Sequence, residues 1–215
     1  MSIVLGYPAA ADALVPRLGV RAFSLLLLAA ALGTLWLGRS PWRSALHPLA
    51  RAALPLLIGL AAVTGERLFL LLVPAWIYTA LFLVFQGSLR GERSVVEDMA
   101  RWIEPWAPDF IRSYCRKVTG LLGVLFLTNA VVIAVASVVA PFGWWRAWTG
   151  WISYTVLGAV LLVEFLIRKT WFRYYYYNGP FDRLWSGLFP PEQTPQGRRS
   201  MAYIADVKRE MGRGA

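Results

Sequence analysis

The chain has 215 residues, 58% of them hydrophobic and only 16% charged, with a mean hydropathy of +0.51. A water-soluble domain of this length carries about a quarter charged residues, so a soluble globular fold is excluded. The formal charge of +10, from 22 Lys and Arg against 12 Asp and Glu, clusters beside apolar blocks, where it opposes anionic lipid headgroups rather than nucleic acid.

Charge-free runs cover residues 22–38, 68–86, 118–145 and 147–163. Each approaches or exceeds the roughly 17–25 residues that cross a hydrocarbon core as helix. None alternates with the two-residue period of a membrane barrel, so the runs are read as helices. The reading is all-α: a polytopic membrane helical bundle of about five transmembrane helices at 20–38, 47–64, 68–86, 118–140 and 149–167. Residues 1–170 form the bundle, with a loop at 87–117. Residues 171–215 form an aromatic and basic interfacial segment and tail.

Near the N-terminus, Arg17, Arg21, a leucine run and Ala29-Ala30-Ala31 imitate a secretory signal. The apolar run continues to Leu37, which favours a retained helix. The second span is interrupted by Pro48 and Pro55, and Thr64-Gly65-Glu66-Arg67 turns it straight into the third. A crossing hairpin and a re-entrant segment both fit. With five spans, 18 basic residues fall on one side and 4 on the other. That asymmetry predicts a cytoplasmic loop 87–117 and a cytoplasmic C-terminus, in the bacterial inner membrane.

In loop 87–117, Ser94 and Glu97 have the spacing of a capping box. Val95, Val96, Met99, Trp102, Ile103 and Trp106 then recur on one helical face, with Glu97, Asp98 and Arg101 on the other. A helix packed under the bundle and a membrane-surface helix offered to a partner both fit. Pro105 and Pro108 end it, and Asp109 can cap a second helix leading to Arg116-Lys117. Beyond the last span, Trp171, Tyr174 and Tyr177 with Arg173 read as an interface anchor. Phe181, Leu184, Trp185, Leu188 and Phe189 share one face of an in-plane helix, which Pro190-Pro191 stops. The expected interface anchors are therefore Trp102, Trp106, Trp171, Tyr174, Tyr177, Phe181 and Trp185. Residues 192–215 read as a mobile polar tail.

Chemistry-bearing residues are few. His47 is the only histidine and has no orienting acid nearby, as a Ser-His-Asp triad would need. Position 52 is Ala, so the His-x4-Asp spacing of many lipid acyltransferases fails. Cys115 is the only cysteine, which excludes an internal disulfide and a cysteine-based metal cage. No phosphate loop or metal motif occurs, so neither metal nor cofactor is expected. Asn129 lies near the middle of the fourth span, where an unpaired amide is costly and interhelical hydrogen bonding is its natural role. Glu164 and Arg168 can pair at i, i+4 near the cytoplasmic interface. The alternative is a carboxylate that carries protons or grips a headgroup. Gly120 and Gly123 give a weak packing signal.

Ser88-Leu89-Arg90, Tyr114-x-Arg116-x-Val118-Thr119, Phe126 with Asn129, Trp144-Trp145, Ile152-Ser153-Tyr154 and Glu164-Phe165-x-x-Arg168 together resemble an uncharacterised bacterial multi-pass membrane-protein family. Its members are encoded near aryl polyene or xanthomonadin-type biosynthesis genes of fatty-acid-synthase-like character. The likeness spans about residues 68–170, and the segment from Trp171 onward departs from it. The resemblance implies a setting in lipid-like polyene assembly or export, and its motifs hold the candidate polar positions Tyr114, Arg116, Asn129, Tyr154, Glu164 and Arg168. The expected function is a non-catalytic membrane scaffold. Its expected partners are membrane lipids and an acyl carrier protein or cytosolic synthase enzymes. The alternative is a component of a small lipid or polyene transporter, which with five spans would need an oligomer.

Overall fold

The structure, a computed structural model, describes residues 2–36, 48–103, 107–172 and 180–213. The described residues are 91% helical, and no strand occurs among them. Among the described residues ten α-helices follow in order: α1 Ser2–Trp36, α2 Pro48–Thr64, α3 Arg67–Leu71, α4 Val73–Ser88, α5 Val95–Ile103, α6 Arg112–Val139, α7 Phe142–Ala147, α8 Ser153–Ile167, α9 Pro180–Leu188 and α10 Pro195–Arg213. π-helical turns at Trp148–Ile152 and Arg168–Phe172 flank α8. Among the described residues four stretches are long and apolar enough to cross a membrane: Ala10–Ala31, Arg67–Ser88, Asp109–Val139 and Phe142–Phe172. Ala52–Thr64 is a shorter apolar helix. The chain is thus an all-α membrane bundle. Its first apolar span begins ten residues earlier than the sequence reading placed it, because α1 continues through residues 2–18 despite a bend.

Contacts gather the chain into two units, Met1–Glu92 with Gly120–Leu157, and Arg93–Thr119 with Gly158–Ala215. In the first unit, α1 bends at Gly19, whose φ of 79° favours glycine. The tight turn between α2 and α3 needs glycine on two counts. Gly65 has φ 76°, and a Cβ there would stand 3.2 Å from the Arg21 Nε.

A proline organises the core of this unit. Pro74 has no N–H, so the Leu70 carbonyl loses its helical donor and the α3–α4 rod breaks at Leu72. Buried Tyr7 donates its hydroxyl to that carbonyl at 2.7 Å. The next carbonyl, Leu71, accepts from the Ser137 hydroxyl and the Trp145 indole, each at 3.2 Å. Three helices therefore converge on backbone groups that lipid cannot satisfy. Leu122, Phe126, Ala130 and Ile133 form the buried stripe of α6. Phe126 packs edge-on against Phe85 at 5.0 Å and against Tyr78 at 6.2 Å. At Gly123 the α4 residue Gln86 comes within 3.3 Å of where a Cβ would stand, so the glycine pair does mark close helix packing. The opposite stripe, including Val124, Val131 and Val138, is exposed, as lipid contact requires.

The second unit is made of α5, the stretch 107–119, the end of α8 with its π-helical turn, α9 and α10. Residues read as a mobile tail form the 19-residue α10 instead. Ser200 is fully buried and donates to the Phe172 carbonyl, Tyr203 meets Phe110 edge-on at 6.5 Å, and Arg199 lies 4.7 Å over the same ring. Tertiary contacts hold a helix whose composition alone looks like tail.

Candidate functional site

The second unit holds several charged residues that pair with one another. Glu164 and Arg168, one turn apart, form a double contact: Arg168 Nε donates to Glu164 Oε1 at 2.9 Å and Nη2 donates to the same oxygen. Their side chains are 13% and 11% exposed, so the pair lies deeper than an open interface pair. Tyr114 is within hydrogen-bonding reach of Glu164, and its ring centroid is 4.7 Å from that of Phe172. The π-helical turn that starts at Arg168 inserts an extra residue per turn, a feature common at functional sites.

A second carboxylate belongs to the same cluster. Glu97 is 1% exposed. Its Oε1 accepts from Arg101 Nε at 3.2 Å, and its Oε2 is 3.7 Å from Arg112 Nε. Arg101 continues to the Asp109 carboxylate at 2.7 Å and the Ala107 carbonyl at 3.2 Å. The Asp109 hydrogen bond, followed by Glu97, raises the Arg101 pKa further above its ordinary value and keeps it charged. Cys115, 1% exposed, lies in the field of Arg168, Glu97, Glu164 and Arg101. The cluster therefore balances carboxylates against guanidinium groups around a thiol sealed from solvent. A substrate cannot reach that thiol without the unit opening.

The expected capping box does not form. Ser94 Oγ is buried and makes no hydrogen bond among the described residues, while Glu97 turns to its arginines. The Val96 N–H is met by the Thr119 hydroxyl at 3.4 Å, and that hydroxyl donates to the Cys115 carbonyl at 2.8 Å. α5 is consequently rotated from the amphipathic reading. Val96, Glu97 and Ala100 are buried, while Met99, Trp102 and Ile103 are exposed.

Of the six candidate polar residues, the structure gathers Tyr114, Glu164 and Arg168 in one cluster of the second unit. Arg116 is half-buried on α6 in the same unit. Asn129 and Tyr154 belong to the first unit. There Asn129 Nδ2 donates to the Leu125 carbonyl at 3.0 Å, whereas its Oδ1 is buried with no hydrogen-bond partner among the described residues. Nearby in that unit Tyr78 donates to Ser153 Oγ at 3.0 Å. The sequence reading missed Glu97, Arg112 and Cys115 as members of the cluster; the Glu97–Arg101 i, i+4 spacing was the available signal. Among the anchors, Trp102 is 86% and Trp171 48% exposed, and Trp185 stands 5.2 Å from Phe189. Phe181 lies on α9. His47, Trp106, Tyr174 and Tyr177 lie outside the described residues. Among the described residues no three His, Cys, Asp or Glu side chains are placed to hold a metal ion.

The fold and cluster define a helical membrane protein with a charged second unit. The chain matches no family model, no curated protein and no solved structure.

Proposed function

We propose that the chain is a non-catalytic accessory protein of the bacterial inner membrane that holds acidic partners of lipid-like, aryl polyene-type acyl chain assembly, such as an acyl carrier protein, at the cytoplasmic surface. The observation that carries this reading is α10. Its inner side is fastened by Ser200, Tyr203 and Val207, and its exposed side carries Arg198, Arg199, Lys208 and Arg209 against Asp206 and Glu210. A fixed basic surface steers acidic proteins better than a loose tail, because it loses less entropy on contact. Affinity purification in mild detergent with mass spectrometry tests the reading. Co-eluting carrier or synthase proteins support it.

A component of a small lipid or polyene transporter is the second reading. It is favoured by the buried, unpartnered Asn129 Oδ1 within an apolar span, since intramembrane polar groups often line a substrate path. Stoichiometric lipid without protein partners would favour it over the scaffold.

A further inference from the structure

α5 turns the usual amphipathic order around: it buries a carboxylate and exposes its largest apolar side chains. Glu97 is 1% exposed, whereas Trp102 is 86%, Met99 57% and Ile103 57% exposed. Charges fix this rotation, since turning Trp102 inward would carry Glu97 away from Arg112 and Arg101 away from Asp109. The contacts also fix direction. The start of α5 meets Thr119, and its end meets Ala107 and Asp109 through Arg101. α5 therefore runs antiparallel to the 109–119 stretch.

That stretch marks the membrane edge. Asp109–Val139 has 31 residues, about 46 Å of helix, against a hydrocarbon core about 30 Å thick. Charged residues end at Lys117, and the charge-free run starts at Val118. The surplus length, 109–117, passes through the headgroup layer, and α5 lies beside it with its N-terminus nearest the core. Side chains on a helix lean toward its N-terminus, so Met99, Trp102 and Ile103 lean toward the bilayer. Tryptophan favours this depth. The exposed neighbours Arg93 and Lys117 suit anionic headgroups.

We infer that the outward face of α5, formed by Met99, Trp102 and Ile103, is a membrane foot seated at headgroup depth in an anionic leaflet, with Glu97 holding it in that rotation. Spin labels at Met99→Cys and Ile103→Cys test it in vesicles of phosphatidylcholine and phosphatidylglycerol. Native Cys115 is buried and escapes labelling in the folded protein. Arg209→Cys, at a side chain 72% exposed, supplies a label in water. Collision with dissolved oxygen should exceed collision with a water-soluble nickel chelate at both α5 sites, and the excess should grow with the share of phosphatidylglycerol. Chelate access equal to that of the Arg209→Cys label would place the face in water and overturn the inference. Shielding from both reagents would mean that protein covers the face, and would overturn it equally. An excess indifferent to phosphatidylglycerol would overturn the anionic preference.

Discussion

The Tyr7 hydroxyl donates to the Leu70 carbonyl at 2.7 Å across 63 residues of sequence, where Pro74 has removed the helical donor. Tyr7→Phe should lower stability by about 1 kcal/mol, the usual scale for such a bond in a membrane bundle. A thermal midpoint in detergent equal to wild type would contradict this. Burial also raises the Tyr7 pKa above its ordinary value, so the folded protein keeps the proton while the unfolded chain loses it above about pH 10. The advantage of wild type over Tyr7→Phe should thus hold below that pH and shrink above it.

Glu97 depends unequally on its two arginines. Arg101 is 3.2 Å away with 20% of its side chain exposed, and Arg112 is 3.7 Å away with 49% exposed. A double-mutant cycle of Glu97→Leu with Arg101→Leu should give a coupling of about 1–2 kcal/mol. The cycle with Arg112→Leu should give less than half as much, because solvent screens the more exposed pair. Equal couplings from denaturation curves would refute the geometry.

The same contrast separates two local helical pairs, one at i, i+4 and one at i, i+3. Glu164→Gln leaves a largely buried Arg168 charge without its carboxylate partner and should cost about 2–3 kcal/mol, more than a surface interface pair would. Asp206→Asn breaks the Arg209 pair, whose side chains are 72% and 67% exposed, and should change stability by less than about 0.5 kcal/mol. Thermal midpoints of the two variants in one detergent check the order. If Glu164→Gln melts with wild type, the burial of that pair has no energetic weight.

The long apolar runs were legible because a span needs only length and hydropathy, and both are local properties. Breaks inside them were legible only in part: Pro74 announces a break, but not that Tyr7, Ser137 and Trp145 come to mend it. Glu97 reads as part of the polar face with Asp98 and Arg101, and its burial is not legible because its second arginine, Arg112, arrives from another helix. α10 was read as tail since its composition is polar, yet Ser200, Tyr203 and Val207 already stood at helical spacing and could have signalled a docked face. Tyr114 comes near Glu164 only through tertiary packing, which no local pattern in the sequence announces.

With five spans, the 18-to-4 distribution of basic residues predicts a cytoplasmic C-terminus. A fluorescent protein fused after Ala215 should be bright, and an alkaline phosphatase at the same point should be inactive. Active phosphatase there would reverse the orientation and remove α10 from the cytoplasm.

The proposed docking role of α10 is tested most directly by titrating a purified, acidic acyl carrier protein onto the full chain in nanodiscs. Binding should appear at low ionic strength, weaken as salt rises, and disappear in the variant carrying Arg198→Glu, Lys208→Glu and Arg209→Glu. Absence of binding at low salt, or binding that survives the triple charge reversal, would contradict it.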